Sequence, residues 1–397
     1  MWIFRGVDYF QTFSPTPKMT TLRVLLHIAA QRDYELHSLD FSTTFLQGSL
    51  HEEIWLRRPP RFTGSFPVGT QWSLYRPVYG LRQAPREWHN TLRTTLAALG
   101  FAPSTADPPL FLRTDTLLPP FYVLVYVDDF VFATVDTEAL TLVKSELQKR
   151  HTCTDLGELR SYLGLQITRD RARRTITLTQ SHMVHQVLQR FDFQFSSPQP
   201  TPLSTSHSLS APPSDESVEP SGPYPELVGC LMYLMTCTRP HLAYPLSLMA
   251  RYVAPWLHLQ PWIRLCFLAV YPLVLVLSSS CEAEINVGAM AAQELCWLTY
   301  LLTDLGEQPR SRLVLYVDNK AMIALCLEHR LKHRMKHIAL RYFLVQELHQ
   351  RGQLRLAYVA TRASTADIFT KALLLGDHQR FSTVLGLVPT LPHLLSA

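Results

Sequence analysis

The sequence predicts a mixed α+β protein that contains an antiparallel sheet, and three patterns in the chain support this fold class. Residues 121–135 are almost all β-branched, aromatic or aliphatic, as expected of two buried strands folded back on each other. Residues 18–31 and 85–99 carry apolar side chains at helical spacing. After Ser278 the predicted strands and helices alternate, which is typical of an α/β layer.

Each element has a local signal. Thr20 or Thr21 is a plausible cap for the first helix. In the second helix, Pro85 lies near the start and Gly100 just past the end, which is the usual arrangement of these two residues. A strand that turns at Asp40 lies between these helices. The later predicted elements are a helix at 136–151, a hairpin at 167–180, helical chain at 227–253, a helix at 286–302, a strand at 313–317, a basic helix at 331–349, a strand at 354–359 and a short helix at 364–374.

The composition indicates a globular protein with several domains. The chain has 397 residues, of which 47% are hydrophobic and 17% charged, and its net charge of +5 is compatible with a nucleic-acid partner without being diagnostic. Seven cysteines lack a CxxC pair, which argues for a reducing compartment and against disulfides or zinc. No secretory signal is visible, so we predict a cytoplasmic or nuclear location.

Two stretches interrupt this pattern. Residues 196–225 contain eight prolines and nine serines, which predicts an extended linker. Residues 265–277 form an apolar run of 13 residues, whereas a membrane span needs about 20. We therefore expect no membrane span, and interpret this run as a buried segment or as a join between pieces that were once separate.

Two aspartates, Asp40 and Asp128, each end a strongly apolar strand. If these strands are neighbours in one sheet, both carboxylates project at the same edge, where oxygen ligands of this kind suit Mg²⁺. Two such ions could activate an attacking hydroxyl and stabilise a leaving pyrophosphate. The alternative is a tight turn that uses Asp128 and Asp129, with Asp40 capping something nearby.

Several long motifs resemble one family. They include "VDYFQTFSPTPKMTTLRVLLHIAAQRDYELHSLDFSTTFLQGSLHEEIW", "VYGLRQAPREWHNTL", "YVDD", "DLGELRSYLGLQIT", "LVGCLMYLMTCTRPHLAY", "VLYVDNKAMIAL", "KHIALRYF" and "TADIFTKAL". In order and spacing the chain resembles the reverse transcriptase of copia-type LTR retrotransposons. The resemblance implies a right-hand polymerase palm, with an antiparallel sheet and helices on one face, followed by a ribonuclease H-like region.

The resemblance also implies site residues. Asp40 and Asp128 would hold two Mg²⁺ ions, and Asp129 would be the supporting third carboxylate. Phe45 would exclude a 2′-hydroxyl and so select deoxynucleotides. Tyr79 and Gly80 would line the incoming nucleotide, while Leu163 and Gly164 would position the primer end.

In the second region, Glu284, Asp318 and Asp367 match three of the four carboxylates of ribonuclease H. No aspartate occurs between Asp215 and Asp304, so the fourth ligand is missing, and we predict that ribonuclease H activity is absent. The implied domains are a reverse transcriptase palm with truncated fingers at 1–195, a linker at 196–225, a thumb or connection remnant at 226–277 and a partial ribonuclease H-like domain at 278–397.

The resemblance leaves two functional hypotheses. The first is an RNA-directed DNA polymerase that uses an RNA template, a DNA primer, their hybrid and deoxynucleoside triphosphates. Because only five residues precede Gly6, cationic fingers residues are missing and we expect impaired activity. The second is a catalytically inactive relic that at most binds nucleic acid. Basic residues at 328–341 and 169–174 could contact phosphates, although such runs are usually solvated faces.

Overall fold

The computed structural model describes residues 12–57, 64, 66–67, 70–206, 223–250, 280–308, 312–327 and 339–388, with the side chains of 280–286 and 339–342 outside the description. The chain forms two compact units. The first unit comprises residues 1–163, 167–177 and 300–307, and the second comprises residues 164–166, 178–299 and 308–397.

The first unit is built around a fully antiparallel six-stranded sheet. Its elements are α1 (Met19–Arg32), β1 (Glu35–Phe41), β2 (Trp55–Arg57), β3 (Gln71–Ser73), α2 (Ala84–Ala98), β4 (Phe101–Pro103), β5 (Leu110–Arg113), β6 (Phe121–Tyr126), β7 (Asp129–Thr134), α3 (Thr137–Arg150), β8 (Cys153–Glu158), β9 (Ser161–Tyr162), β10 (Leu165–Asp170) and β11 (Thr175–Thr179). The strand order in the sheet is β4–β5–β6–β7–β1–β8. A three-stranded sheet, β11–β10–β9, and a short β2–β3 ribbon complete the strands.

One face of the sheet forms an aromatic core. Leu39 faces Phe130 across β1 and β7, and both belong to the cluster that packs under α2 and α3. Phe41 stacks on Phe130 with ring centroids 4.3 Å apart. Because side chains alternate across a strand, this core fixes the register of β1 against β7 and turns the intervening residues to the opposite face.

The second unit begins with helices and ends with a small parallel layer. Its elements are α4 (Ser181–Arg190), α5 (Tyr224–Cys237), α6 (Ala243–Ala250), α7 (Ser280–Asp304, whose last turn belongs to the first unit), β12 (Leu313–Val317), α8 (Lys320–Leu327), α9 (Ala339–Gln350), β13 (Leu354–Tyr358), a 3-10 turn (Thr365–Phe369) and α10 (Leu375–Val384). Strands β12 and β13 pair in parallel, and a core of α7, α8 and α9 residues packs with them.

Most predicted elements are confirmed, including the mixed α/β character and the antiparallel sheet. Two local predictions are wrong. Neither Thr20 nor Thr21 caps α1, because Lys18 is the cap residue and the Thr21 hydroxyl donates to Asp107 instead. The predicted helix at 364–374 is a short 3-10 turn, and α10 starts only at Leu375.

Some predicted features lie outside the described residues. These are the apolar run 265–277, most of the linker, and residues 328–338 of the basic helix. Within the part of the chain that the structure describes, no helix has both the length and the apolar character needed to cross a membrane.

Candidate active site

Three aspartates lie where β1 and the β6–β7 hairpin end. Asp40 lies opposite Asp129 in the β1–β7 register, on the face away from the aromatic core. The backbone N–H of Phe41 donates to the carbonyl of Asp128 at 3.0 Å. The strand next to β1 is therefore β7, and the residue opposite Asp40 is Asp129 rather than Asp128. Residues directly opposite in such a pair lie about 4.5–5.5 Å apart at Cα.

Asp128 belongs to a two-residue turn between β6 and β7. Val127 has a φ of 55°, whereas Asp128 does not have a positive φ. A positive φ at the first central position alone defines a type II′ turn, which favours glycine there. A β-branched residue in this conformation is strained, and such strain is often found at functional sites.

The electrostatics show that the three carboxylates interact. Burial, together with the negative charges of Asp128 and Asp40, raises the pKa of Asp129 to about 6. Cys153, the partner of Phe41 in β8, has its pKa raised to about 11 by burial and by the nearby charges of Asp155 and Asp40. The site therefore carries excess negative charge.

Only burial and the two neighbouring negative charges act on the pKa of Asp129, and no cation lowers it. A buried carboxylate in this situation requires a cation. No group of three or more His, Cys, Asp or Glu in the described chain converges enough to hold a metal ion alone. Mg²⁺ commonly takes one or two carboxylates together with water and substrate phosphates. A pair such as Asp40 and Asp128 fits that donor set.

The residues predicted to bind the nucleotide lie close together. The rings of Phe45 and Tyr79 are 4.7 Å apart between centroids, and the Tyr79 side chain is largely exposed. Gly80 has a φ of 95°, which favours glycine, and no atom lies within 4 Å of the position a Cβ would occupy. Gly80 is therefore explained by its backbone conformation.

Gln47 is a positioning residue that the sequence did not reveal. Its amide donates to the carbonyls of Ser42 and Thr152 at 2.7 and 3.0 Å, and its carbonyl accepts from the Thr152 N–H at 2.9 Å. These bonds tie the segment that carries Phe45 to the start of β8. A glutamine in a short 3-10 turn gives no sequence signal for such a role.

A basic cavity of about 560 Å³ opens beside this tie. It is lined by Gln47, Arg76 and residues 148–153, which include Lys149 and Arg150 and no carboxylate. Glu146 forms ion pairs with Lys149 and Arg150 outside the lining. The cavity suits a phosphate-bearing ligand.

Leu163 and Gly164 form the turn between β9 and β10. Both have a positive φ, 50° and 73°. The preceding Tyr162 is buried, burial and the nearby charge of Asp129 raise its pKa, and its hydroxyl has no hydrogen-bond partner. The turn predicted to position the primer thus directly follows Tyr162, whose side chain lies near Asp129.

The three residues matched to ribonuclease H are not brought together by the described contacts. Glu284 lies in the first turns of α7, with its side chain outside the description. Asp318 is exposed after β12, and Asp367 accepts a hydrogen bond from Lys371 at 3.0 Å. Asp367 is therefore engaged by a local ion pair.

The basic tip at 169–174 is largely used within the first unit. Arg169 binds Asp33 at 2.6 Å and the carbonyl of Ala29 at 3.3 Å. Arg171 bridges Asp33 and Glu35. These two side chains are engaged in ion pairs within the first unit, and contact of the tip with nucleic acid stays a prediction.

Comparison with known proteins agrees with this geometry. Residues 3–205 match the family described as reverse transcriptase (RNA-dependent DNA polymerase), and the chain belongs to that family. The antiparallel sheet and mixed α/β fold are consistent with a reverse transcriptase domain.

The relatives are Pol polyproteins of copia-type transposons. The chain is 30% identical over 442 aligned positions to the retrovirus-related Pol polyprotein from transposon RE2 of Arabidopsis thaliana, covering 98% of this chain and 30% of that protein. It is 28% identical to the corresponding polyprotein from transposon TNT 1-94 of Nicotiana tabacum, covering 93% and 32%. A transposon Ty5-1 protein of Saccharomyces cerevisiae is 31% identical over 54% of this chain and 69% of its own length. The chain thus spans about a third of the length of the two plant polyproteins.

Proposed function

We propose that the first unit is the palm of an RNA-directed DNA polymerase that adds deoxynucleotides to a DNA primer on an RNA template. The observation that carries this proposal is the register of Asp40 opposite Asp129, with Asp128 in the adjoining turn. Family membership supports the reaction class, since reverse transcriptases are generally dependent on divalent metals.

In this proposal Asp40 and Asp128 hold two Mg²⁺ ions, which when bound supply charge for the attacking hydroxyl and the leaving pyrophosphate. Asp129 supports the pair from the facing strand. Its pKa of about 6 means that it is mostly ionised at neutral pH and becomes protonated in mild acid. Bound metal would favour the ionised form further.

The neighbouring aromatic pair provides the nucleotide platform. Phe45 would lie under the sugar and exclude a 2′-hydroxyl, with Tyr79 packed against it and Gly80 beside it. The basic cavity near Gln47 would attract phosphate groups. Leu163 and Gly164 would steady the primer end next to the carboxylates.

Primer extension tests this proposal directly. Purified protein with an RNA template, DNA primer, deoxynucleotides and Mg²⁺ should extend the primer, and Asp128→Asn should lower the rate by roughly 10³-fold, equivalent to about 4 kcal/mol. Asp115→Asn, an exposed carboxylate of the same unit, is the matched control. Hybrid binding without extension by the parent protein would favour the inactive-relic hypothesis.

For the second region we propose an incomplete ribonuclease H-like domain without cleavage activity, preceded by a linker and a thumb or connection remnant with boundaries near 195, 225 and 277. The ion pair between Asp367 and Lys371 and the lack of aspartate between Asp215 and Asp304 support this. Cleavage of an RNA–DNA hybrid that is lost in Asp318→Asn would contradict it.

A further inference from the structure

The turn that carries Asp128 is held in an unfavourable conformation. Val127 occupies a backbone region that β-branched residues rarely adopt, with a φ of 55°. If Val127 relaxed to a negative φ, the peptide plane between Val127 and Asp128 would rotate and carry Asp128 with it. Some contact must therefore hold this plane.

The buried indole of Trp88 supplies that contact. Its Nε1–H donates to the carbonyl of Val127 at 2.6 Å, and the side chain is 1% exposed. The carbonyl of Val127 is part of the peptide plane that leads into Asp128. Without the indole, this partly buried acceptor would lose its hydrogen-bond partner, which costs stability.

Trp88 is itself fixed by aromatic contacts. Its ring meets Phe41 edge-on at 5.6 Å and His151 edge-on at 5.5 Å. Phe41 directly follows Asp40, and its N–H donates to the carbonyl of Asp128. The peptide groups on both sides of Asp128 are thus held, one by Trp88 and the other by Phe41, which Trp88 supports.

We propose that Trp88 is a positioning residue of the polymerase reaction, whose indole N–H keeps the strained turn in the conformation that presents Asp128 beside Asp40 and Asp129. This inference rests on the proposed function for its kinetic readout. It assigns a role to the hydrogen bond as distinct from the packing of the ring.

A double-mutant cycle separates these two roles. Trp88→Phe keeps most of the packing and removes the donor, so kcat of primer extension should fall about tenfold while the KM for the deoxynucleotide changes little, and the unfolding midpoint should fall modestly because the acceptor loses its partner. Val127→Gly allows a positive φ without strain. The kcat of the double variant should return to within about threefold of that of Val127→Gly alone, because a glycine turn no longer needs the hydrogen bond from Trp88.

A purely structural Trp88 gives a different pattern. Extension would then fall in Trp88→Phe and would stay low in the double variant with Val127→Gly, because relief of the turn cannot replace lost packing. That result, or an unchanged kcat in Trp88→Phe, overturns the inference. Trp55→Phe, which alters an exposed indole of the same unit, is the matched control and should leave extension unchanged.

Two further measurements keep the test decisive. If Trp88→Phe does not fold, benzothienylalanine at position 88 replaces the N–H by sulfur in a ring of the same shape. If the parent extends no primer, the proposed function fails, and Mn²⁺ binding measured by electron paramagnetic resonance decides the inference. Trp88→Phe should then weaken Mn²⁺ binding roughly tenfold and Val127→Gly should restore it, whereas an unchanged affinity overturns the inference.

Discussion

The two units differ in how they treat their polar groups. In the first unit the carboxylates cluster at one end of a six-stranded sheet, where backbone and aromatic contacts hold them. In the second unit, Asp367 is ion-paired to Lys371 and Asp318 is exposed beside a two-stranded sheet. A reactive arrangement of like charges costs stability, so it persists only where the surrounding fold enforces it.

The two units also differ in where their buried polar atoms lack a hydrogen-bond partner. Among the described residues, three buried polar atoms without a hydrogen-bond partner belong to one small part of the second unit, namely His241 Nδ1, His378 Nε2 and Ser382 Oγ. The rings of His241 and His378 are 5.5 Å apart between centroids. In the first unit the described residues include two such atoms, Gln83 Oε1 and the Tyr162 hydroxyl, and the second of these lies near Asp129. Incomplete polar satisfaction thus accompanies a candidate site in one unit and no recognised site in the other.

Replacement of an aspartate by asparagine should affect primer extension far more in the first unit than in the second, and this is the largest difference that we expect. We expect Asp40→Asn to lower primer extension roughly 10³-fold because it removes a metal ligand. Asp318→Asn should leave extension within about twofold, because the mutated carboxylate is exposed. Primer extension and hybrid cleavage are measured for both variants. An equal loss of extension in the two variants would break the comparison.

Removing a carboxylate that accepts hydrogen bonds should lower the free energy of unfolding more in the first unit than in the second. Asp304, at the end of α7, accepts bonds from the Ser104 hydroxyl at 2.5 Å and from the backbone N–H groups of Thr105 and Ala106 at 2.9 and 3.2 Å. Asp304→Ala should lower the free energy of unfolding by about 2 kcal/mol, because it leaves several donors without their charged acceptor.

The control for this prediction lies in the second unit. Asp377 pairs with an exposed Arg380, so Asp377→Ala should cost at most about 0.5 kcal/mol. Chemical denaturation measures both variants. Equal losses would mean that the Asp304 contacts add no more than a surface ion pair does.

The histidine pair of the second unit predicts a pH effect. Burial, with the charges of His378 and Arg239, lowers the pKa of His241 from 6.5 to about 4. The unfolded chain therefore binds this proton first, and the free energy of unfolding should fall as the pH drops from about 6.5 to about 4.

His241→Asp should raise the free energy of unfolding. An aspartate there could accept from His378 and pair with Arg239, so we expect a gain of about 1 kcal/mol at neutral pH. His241→Asn, which adds no charge, is the control. The comparison would lose support if both variants were less stable than the parent at every pH.

Relief of charge repulsion in the first unit should change the stability by about as much as His241→Asp does. The pKa of Asp129 is raised to about 6, so the folded chain holds this proton more tightly than the unfolded chain and loses stability as the pH rises toward 6. In metal-free buffer, Asp129→Asn should be more stable than the parent by about 1 kcal/mol above pH 6, after allowance for partial exposure, and nearly equal to it near pH 4. Thermal unfolding across pH measures the difference, and a pH-independent difference would contradict it.

The sequence predicted those features that depend on local pattern. The apolar run 121–135 was enough to predict a strand pair folded near Asp128, and Pro85 and Gly100 marked the ends of α2 correctly. The residue opposite Asp40 is Asp129, whereas Asp128 lies in the turn. Features that depend on distant partners were not predicted. Thr21 bonds Asp107, which is 86 residues away, so the predicted cap was wrong.

The hydrogen bond from Trp88 to the turn is another feature that the sequence could not predict. Valine disfavours a positive φ, so the sequence gives no reason to expect one at Val127. Trp88 reads as an ordinary core residue of a helix until its N–H is seen against a carbonyl 39 residues away. Similarly, nothing near Asp304 indicates that its acceptor serves residues 104–106. Local propensity cannot identify such long-range polar partners.

The most direct test locates divalent ions by anomalous scattering. Crystals of the protein with a primer–template hybrid, an unreactive deoxynucleotide analogue and Mn²⁺ should show two ions about 4 Å apart, contacted by the carboxylates of Asp40 and Asp128. The peaks should be lost in Asp128→Asn. Ions bound elsewhere while Asp40 and Asp128 remain without metal, or the same two peaks in Asp128→Asn, would contradict the account.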